Sequence, residues 1–226
     1  MRLTSSLATA GIALGLVGAL ATGATASAPA PSADAKASTS PAGATATPTT
    51  GKVMHFGYDG AGNTYQSPTL DLSDPKAKDP ANYLPKKLVD SARAAEAAKT
   101  GKTAAAQPNG TAALLCTLYV GGLRDWNLGD LQGTTNQDCS GSFRVQHTNG
   151  QFAWNNGGWA RITGSIVGPS TTGQHNDTIF MVWCNHPAGY GRKSYRLEAR
   201  GYATASDGTP VNGYLQYGGS STWTCL

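Results

Sequence analysis

The chain of 226 residues is 39% hydrophobic and only 13% charged, and its 17 Lys and Arg against 13 Asp and Glu leave a formal charge of +4. So sparse and balanced a charge excludes the dense positive field that nucleic-acid binding needs. Beyond the first 28 residues no stretch is apolar enough to cross a bilayer, so a released, soluble protein is expected.

Residues 1–28 read as a signal peptide. Arg2 and the terminal amine form the positive end, an uncharged apolar segment runs through Gly11 to Leu20, and Ala26-Ser27-Ala28 fits the small-residue cleavage preference. The apolar centre is too short and too rich in Gly and Ala for the roughly 20 residues of a membrane anchor. The expected location is therefore secreted and extracellular, with no membrane association after cleavage. Residues 29–51 are almost wholly Ala, Pro, Ser, Thr and Gly, with Asp34 and Lys36 the sole charges. Such a segment cannot bury enough surface to offset its ordering entropy and is expected to be a disordered linker.

Residues 52–111 read as a loosely packed N-terminal extension. Val53 to Tyr58 suits a strand, Asp59-Gly60-Ala61-Gly62-Asn63 a turn, and Thr64 to Gln66 a returning strand. Asp71, Asp74 and Asp79 read as turn residues, because their spacing fits no calcium loop. The pattern predicts a helix near 85–99, started by Pro85, stopped near Gly101 and carrying a thin stripe of Leu88, Val89, Ala92 and Ala95. Removal of the extension as a propeptide is the alternative reading.

Residues 112–226 hold all five Trp, six of nine Tyr and three of four Phe. Turn signals recur every dozen or so residues. The expectation is an all-β domain, a disulfide-stapled antiparallel β-sandwich or small barrel of about eight strands. The strands are placed at 113–120, 142–148, 151–154, 159–167, 178–185, 194–204, 211–217 and 221–225. Asn149-Gly150 predicts a hairpin, since both residues tolerate the positive φ of a type I′ turn. Asn155 to Gly158 and Ser206 to Thr209 predict two more turns. Ile179 to Cys184 is apolar on both faces and predicts a central strand. Tyr195, Leu197, Ala199 and Ala203 alternate with Arg196, Glu198 and Arg200, which predicts a half-buried strand with its charged face in water.

Four cysteines, Cys116, Cys139, Cys184 and Cys225, lie in this half, behind an export signal. An even count in an oxidising compartment implies bridges, with Cys116–Cys139 and Cys184–Cys225 favoured among three possible connectivities. Their spacing matches no zinc pattern, and no metal or cofactor is expected.

No motif assigns an activity. The leading expectation is a monomeric, non-enzymatic secreted β-domain whose partner is an extracellular glycan or cell-wall surface, or else a secreted protein such as a protease that it inhibits. The candidate ligand-binding residues are Trp126, Trp154, Trp159 and Tyr190. A turn over Asn155 to Gly158 would set Trp154 opposite Trp159, either as a platform for sugar rings or as a core pair. Trp126 sits in a polar loop, and Tyr190 at a loop tip. The different-class alternative is a small hydrolase assembled around His175 or His186, although no G-x-S-x-G elbow is present. Glu198 is the domain's one Glu, which leaves no carboxylate pair of the glycosidase kind.

Overall fold

The computed structural model describes residues 36–39, 51–99, 101, 113–126, 130–155, 157–183 and 191–225. The chain divides into two units, Met1–Ala30 and Pro31–Leu226, and the described residues belong to the second. The signal peptide, Tyr190, Cys184 and His186 lie outside the described residues, as does the linker apart from 36–39 and Gly51.

In chain order the elements are β1 (Lys36–Thr39), β2 (Lys52–Tyr58), β3 (Thr64–Gln66), β4 (Leu70–Asp71), two 3-10 turns (Pro75–Lys78 and Pro80–Asn82) and α1 (Lys86–Lys99). There follow β5 (Leu114–Trp126), β6 (Asp130–Gly141), β7 (Phe143–Asn155), β8 (Trp159–Arg161), β9 (Ile166–Val167) and β10 (His175–Trp183). The last are β11 (Gly191–Ala205), β12 (Pro210–Asn212), β13 (Gln216–Tyr217) and β14 (Ser221–Cys225). The first sheet runs β1-β10-β6-β5-β2-β3, with β4 on β2. The second runs β12-β11-β7-β8, with β13 and β14 also on β11 and β9 on β7. Their inner faces share one core that includes Phe56, Leu118, Phe152, Phe180, Tyr195 and Leu197. The expected antiparallel sandwich is what forms.

The boundary at residue 111 does not divide this fold. β2 pairs along its whole length with β5, and Phe56 is fully buried in the common core. Helix α1 covers the opposite face of the first sheet, where Leu88, Val89 and Ala92 pack on Ala113 and Leu115. The stripe expected from the sequence is the buried one. Residues 52–99 are thus part of the sandwich and not a loosely packed extension. β1 likewise lies within the stretch expected to be linker and pairs with β10.

β6 has no counterpart among the expected strands. Its sequence, DLQGTTNQDCSG, is polar, yet Gln132, Thr135, Asn136 and Gln137 are buried. Burial of polar side chains is tolerated where they find partners. Gln137 Nε2 donates to Gln146 Oε1 and to the Tyr202 carbonyl, both at 2.9 Å, and Gln146 Nε2 donates to the carbonyls of Gly173 and Gln174 at 2.7 Å. A hydrogen-bonded row thus replaces the apolar alternation that would have marked the strand.

Asn149-Gly150 is not a hairpin. Both residues lie mid-strand in β7, opposite Arg200 and Ala199 of β11. Glycine is required there for close approach: a Cβ at Gly150 would stand 2.8 Å from three ring carbons of Phe180. The Ser206 to Thr209 turn does form, with Gly208 at φ 95° and Asp207 Oδ1 accepting from Thr209 N. β10 is flanked by β1 and β6, but its burial alternates: Phe180 and Val182 are buried while Trp183 is 55% exposed. The Cys116–Cys139 bridge joins residues directly opposite on β5 and β6. Cys225 ends β14 opposite Gly191. Its expected partner Cys184 lies outside the described residues, and with it that second bridge.

Candidate functional site

β7 and β11 form the centre of the second sheet, and the two-residue period of a strand decides what each face carries. On β11, Tyr195, Leu197 and Ala199 point into the core. Arg196, Glu198, Arg200 and Tyr202 point outward. The register sets Ala153, Gln151, Asn149 and His147 opposite these four. The outward row extends for about 20 Å, from the rise of an extended strand.

This face is not the solvated surface that alternation suggested. Glu198 is only 5% exposed. Its carboxylate accepts from Arg196 Nε at 3.0 Å and Nη2 at 2.5 Å, and from Gln151 Nε2 at 2.7 Å, while Arg161 Nε approaches to 3.8 Å. The Arg196 guanidinium lies 4.1 Å from the centre of the Trp159 ring and 4.4 Å from that of Tyr217. β8 brings Trp159 from the β7 side, and β13 brings Tyr217 from the other flank of β11. Both rings keep surface for a ligand, Trp159 being 37% and Tyr217 45% exposed. Farther along, His147 stacks on Tyr202 with ring centres 4.8 Å apart, and burial pushes the His147 pKa below its ordinary value. Between the two aromatic groups a recess of about 190 Å³ is lined by Asn149, Gln151, Arg161, Ser165, Glu198, Arg200 and Leu215, with Tyr202 at its end.

The register separates the two tryptophans expected to pair. Trp159 lies opposite Asn155, and Trp154 opposite Ala160. Trp154 packs on the core beside Phe152, while Trp159 faces outward with Arg161. Trp154 thus faces the core and Trp159 the outer surface, and the two do not form one pair. Trp126 ends β5 opposite Asp130, and its side chain lies outside the description, as does Tyr190. The sequence missed Gln151, Arg196, Glu198, Arg200 and Tyr217 as a group. Its available signal was a lone Glu between two arginines two residues away on either side.

The hydrolase reading meets a different arrangement. The register places His55, Thr117, Asp138 and His175 in one row across the first sheet. His175 Nδ1 lies 2.6 Å from Asp138 Oδ1. Among the described residues, no serine or threonine hydroxyl bonds to His175. His55 does contact a hydroxyl, Thr117 Oγ1 at 2.9 Å, but it is fully buried and its Nε2 lies 2.8 Å from the Ala77 carbonyl. That carbonyl can only accept, so Nε2 carries a proton, and in the neutral ring Nδ1 accepts from Thr117. The ring is sealed from substrate. No group of three metal-ligating side chains occurs among the described residues.

Burial holds the His55 pKa below its ordinary value, against a smaller upward pull from the Ala77 carbonyl and Asp79. The unfolded chain therefore binds a proton below about pH 6.5 that the folded chain refuses, and stability falls as pH drops through that region. His147 acts in the same direction. The lowered carboxylates Asp59, Asp71, Asp79 and Asp207 act only near and below about pH 4. Chemical denaturation at pH 7.5 and pH 5.5 should show the wild type losing stability at the lower pH and His55→Gln losing clearly less of it. Equal losses would refute the assignment to His55.

The chain matches no protein-family model, no curated protein and no solved structure.

Proposed function

We propose that this chain is a secreted, non-enzymatic β-domain that binds an extracellular glycan on the outward face of its second sheet. The observation that carries the reading is the Trp159–Arg196–Tyr217 stack beside a polar recess. Sugar rings offer apolar C–H faces to flat aromatic surfaces and hydroxyls to amides and charged groups, and this face supplies both in one row. Stacking on Arg196 holds the two rings in place before any ligand arrives, which lowers the ordering cost of binding. Secretion is supported by the signal-like residues 1–28 and by the Cys116–Cys139 bridge, a chemistry of oxidising compartments. No helix among the described residues is long and apolar enough to cross a membrane.

Co-sedimentation of the full-length protein with insoluble glycans tests the proposal. Retention is expected. Tyr217→Ala and Trp159→Ala should each weaken it about tenfold, equivalent to about 1.4 kcal/mol, with circular dichroism unchanged. Failure to sediment with any glycan, or retention indifferent to both substitutions, would remove this reading. Capture of a secreted protein in place of glycan would point to the inhibitor class instead.

A further inference from the structure

We infer that the recess recognises an acidic sugar, a ring bearing both a carboxylate and hydroxyl groups, with Arg200 as the residue that receives the carboxylate. The inference rests on the glycan-binding reading and narrows its ligand class. Three arginines, Arg161, Arg196 and Arg200, share this face with a single carboxylate, Glu198. Arg196 is committed to Glu198 through two nitrogens and to both aromatic rings. Arg161 also leans toward Glu198, at 3.8 Å. Arg200 has no carboxylate within ion-pair distance among the described residues, so the recess keeps an uncompensated positive charge.

Two orphaned atoms say more about the ligand. Arg200 Nε and Asn149 Oδ1 are both buried and both lack a hydrogen-bond partner. They belong to residues directly opposite each other in the β7–β11 ladder, and both line the recess. Each unmet group of this kind is costly when buried. One is a charged donor that needs an anionic or neutral oxygen. The other is an acceptor that needs a hydroxyl or N–H. A simple anion satisfies the first and not the second, and a neutral sugar leaves the charge unmet. A hydroxylated carboxylate answers both. The planar guanidinium suits a carboxylate in particular, because its parallel N–H groups match the two oxygens.

The experiment is affinity electrophoresis of the full-length protein in gels containing polygalacturonate, alginate, the neutral methyl ester of polygalacturonate, or polyphosphate. The two carboxylated polymers should retard the protein, and esterification should weaken retardation at least tenfold. Arg200→Gln and Arg200→Lys should each reduce affinity for the acid form about 10- to 100-fold, the second because lysine keeps the charge and loses the fork. Lys87→Gln, the same charge change on the exposed face of α1, should have no effect. Asn149→Leu should weaken the acid and the ester alike, since it removes the hydroxyl contact. Thermal unfolding of each variant separates loss of binding from loss of fold. Equal retardation by acid and ester, or binding to neutral glycans alone, would overturn the acidic-sugar inference and leave the glycan reading standing. Equal weakening by Arg200→Gln and Lys87→Gln, or polyphosphate binding as tight as polygalacturonate, would reduce the effect to unspecific charge attraction and overturn it too. No retention on any glycan in either assay would remove both.

Discussion

Replacing Cys116 and Cys139 together by alanine is expected to lower the unfolding free energy by about 3.4 kcal/mol, from the chain-entropy relation for a loop of this size. The bridge spans a sequence separation of 23 residues. It joins the two long strands at the middle of the first sheet, and both sulfurs are buried in the core. Opened, the unfolded chain regains the loop freedom that the bond denies it, while the folded state retains the β5–β6 ladder on either side. At about 2–4 °C per kcal/mol for a domain of this size, the midpoint of thermal unfolding should fall by about 7–14 °C. Scanning calorimetry of the double variant beside the oxidised wild type measures the difference. A change below 1 kcal/mol would show that the bond constrains little.

Glu198→Ala should have an effect of similar size by another route. The carboxylate is buried under Arg196 and Gln151 and approached by Arg161, and the Arg196 side chain is itself only 15% exposed. Removing one member of a buried pair leaves the other charge unmet, typically at a cost of about 3–5 kcal/mol. Here the Gln151 amide loses its acceptor and Arg161 its ion-pair partner as well. The double variant Arg196→Met with Glu198→Leu should recover most of that loss, since it removes both charges together. It should still fail to bind glycan, because Trp159 and Tyr217 lose the guanidinium that positions them. Urea denaturation of the single and double variants, paired with the co-sedimentation assay, separates the stabilising role of the pair from its role in ordering the rings. Retained binding in a well-folded double variant would show that the rings need no such support.

Local chemistry carried much of the fold into the sequence. The stripe on α1, the Asp59 to Asn63 and Ser206 to Thr209 turns, and the alternation of Tyr195, Leu197 and Ala199 each depend on neighbours a few residues away. The losses came where a distant partner decides. β6 is buried through hydrogen bonds from Gln137 to residues on β7 and β11, so no apolar period marks it. Gly150 serves the Phe180 ring and not a turn, and that ring is on another sheet. Residues 52–58 looked detachable because nothing within them names β5 as their pairing strand. The site was missed for the same reason. Arg196, Glu198 and Arg200 form a solvated pattern in one strand and become an enclosed cluster only when β7, β8 and β13 bring Gln151, Trp159 and Tyr217 beside them.

The same distant pairing governs how the chain can be made. Tyr58 Oη donates to Asp207 Oδ2, Gln66 Nε2 donates to the Asn212 carbonyl, and Thr69 and Gln216 share a hydrogen bond. Met54 Sδ accepts from Gln216 Nε2. Each contact joins an early residue to one about 150 positions later, so synthesis from the N-terminus leaves β2 and β3 without these neighbours until residues 207–216 have been made. Contacts of such long sequence separation form slowly. Nascent chains therefore carry the apolar Met54 and Phe56 without their cover until residues 201–216 are made, and their yield depends on whatever shields that segment in the interval.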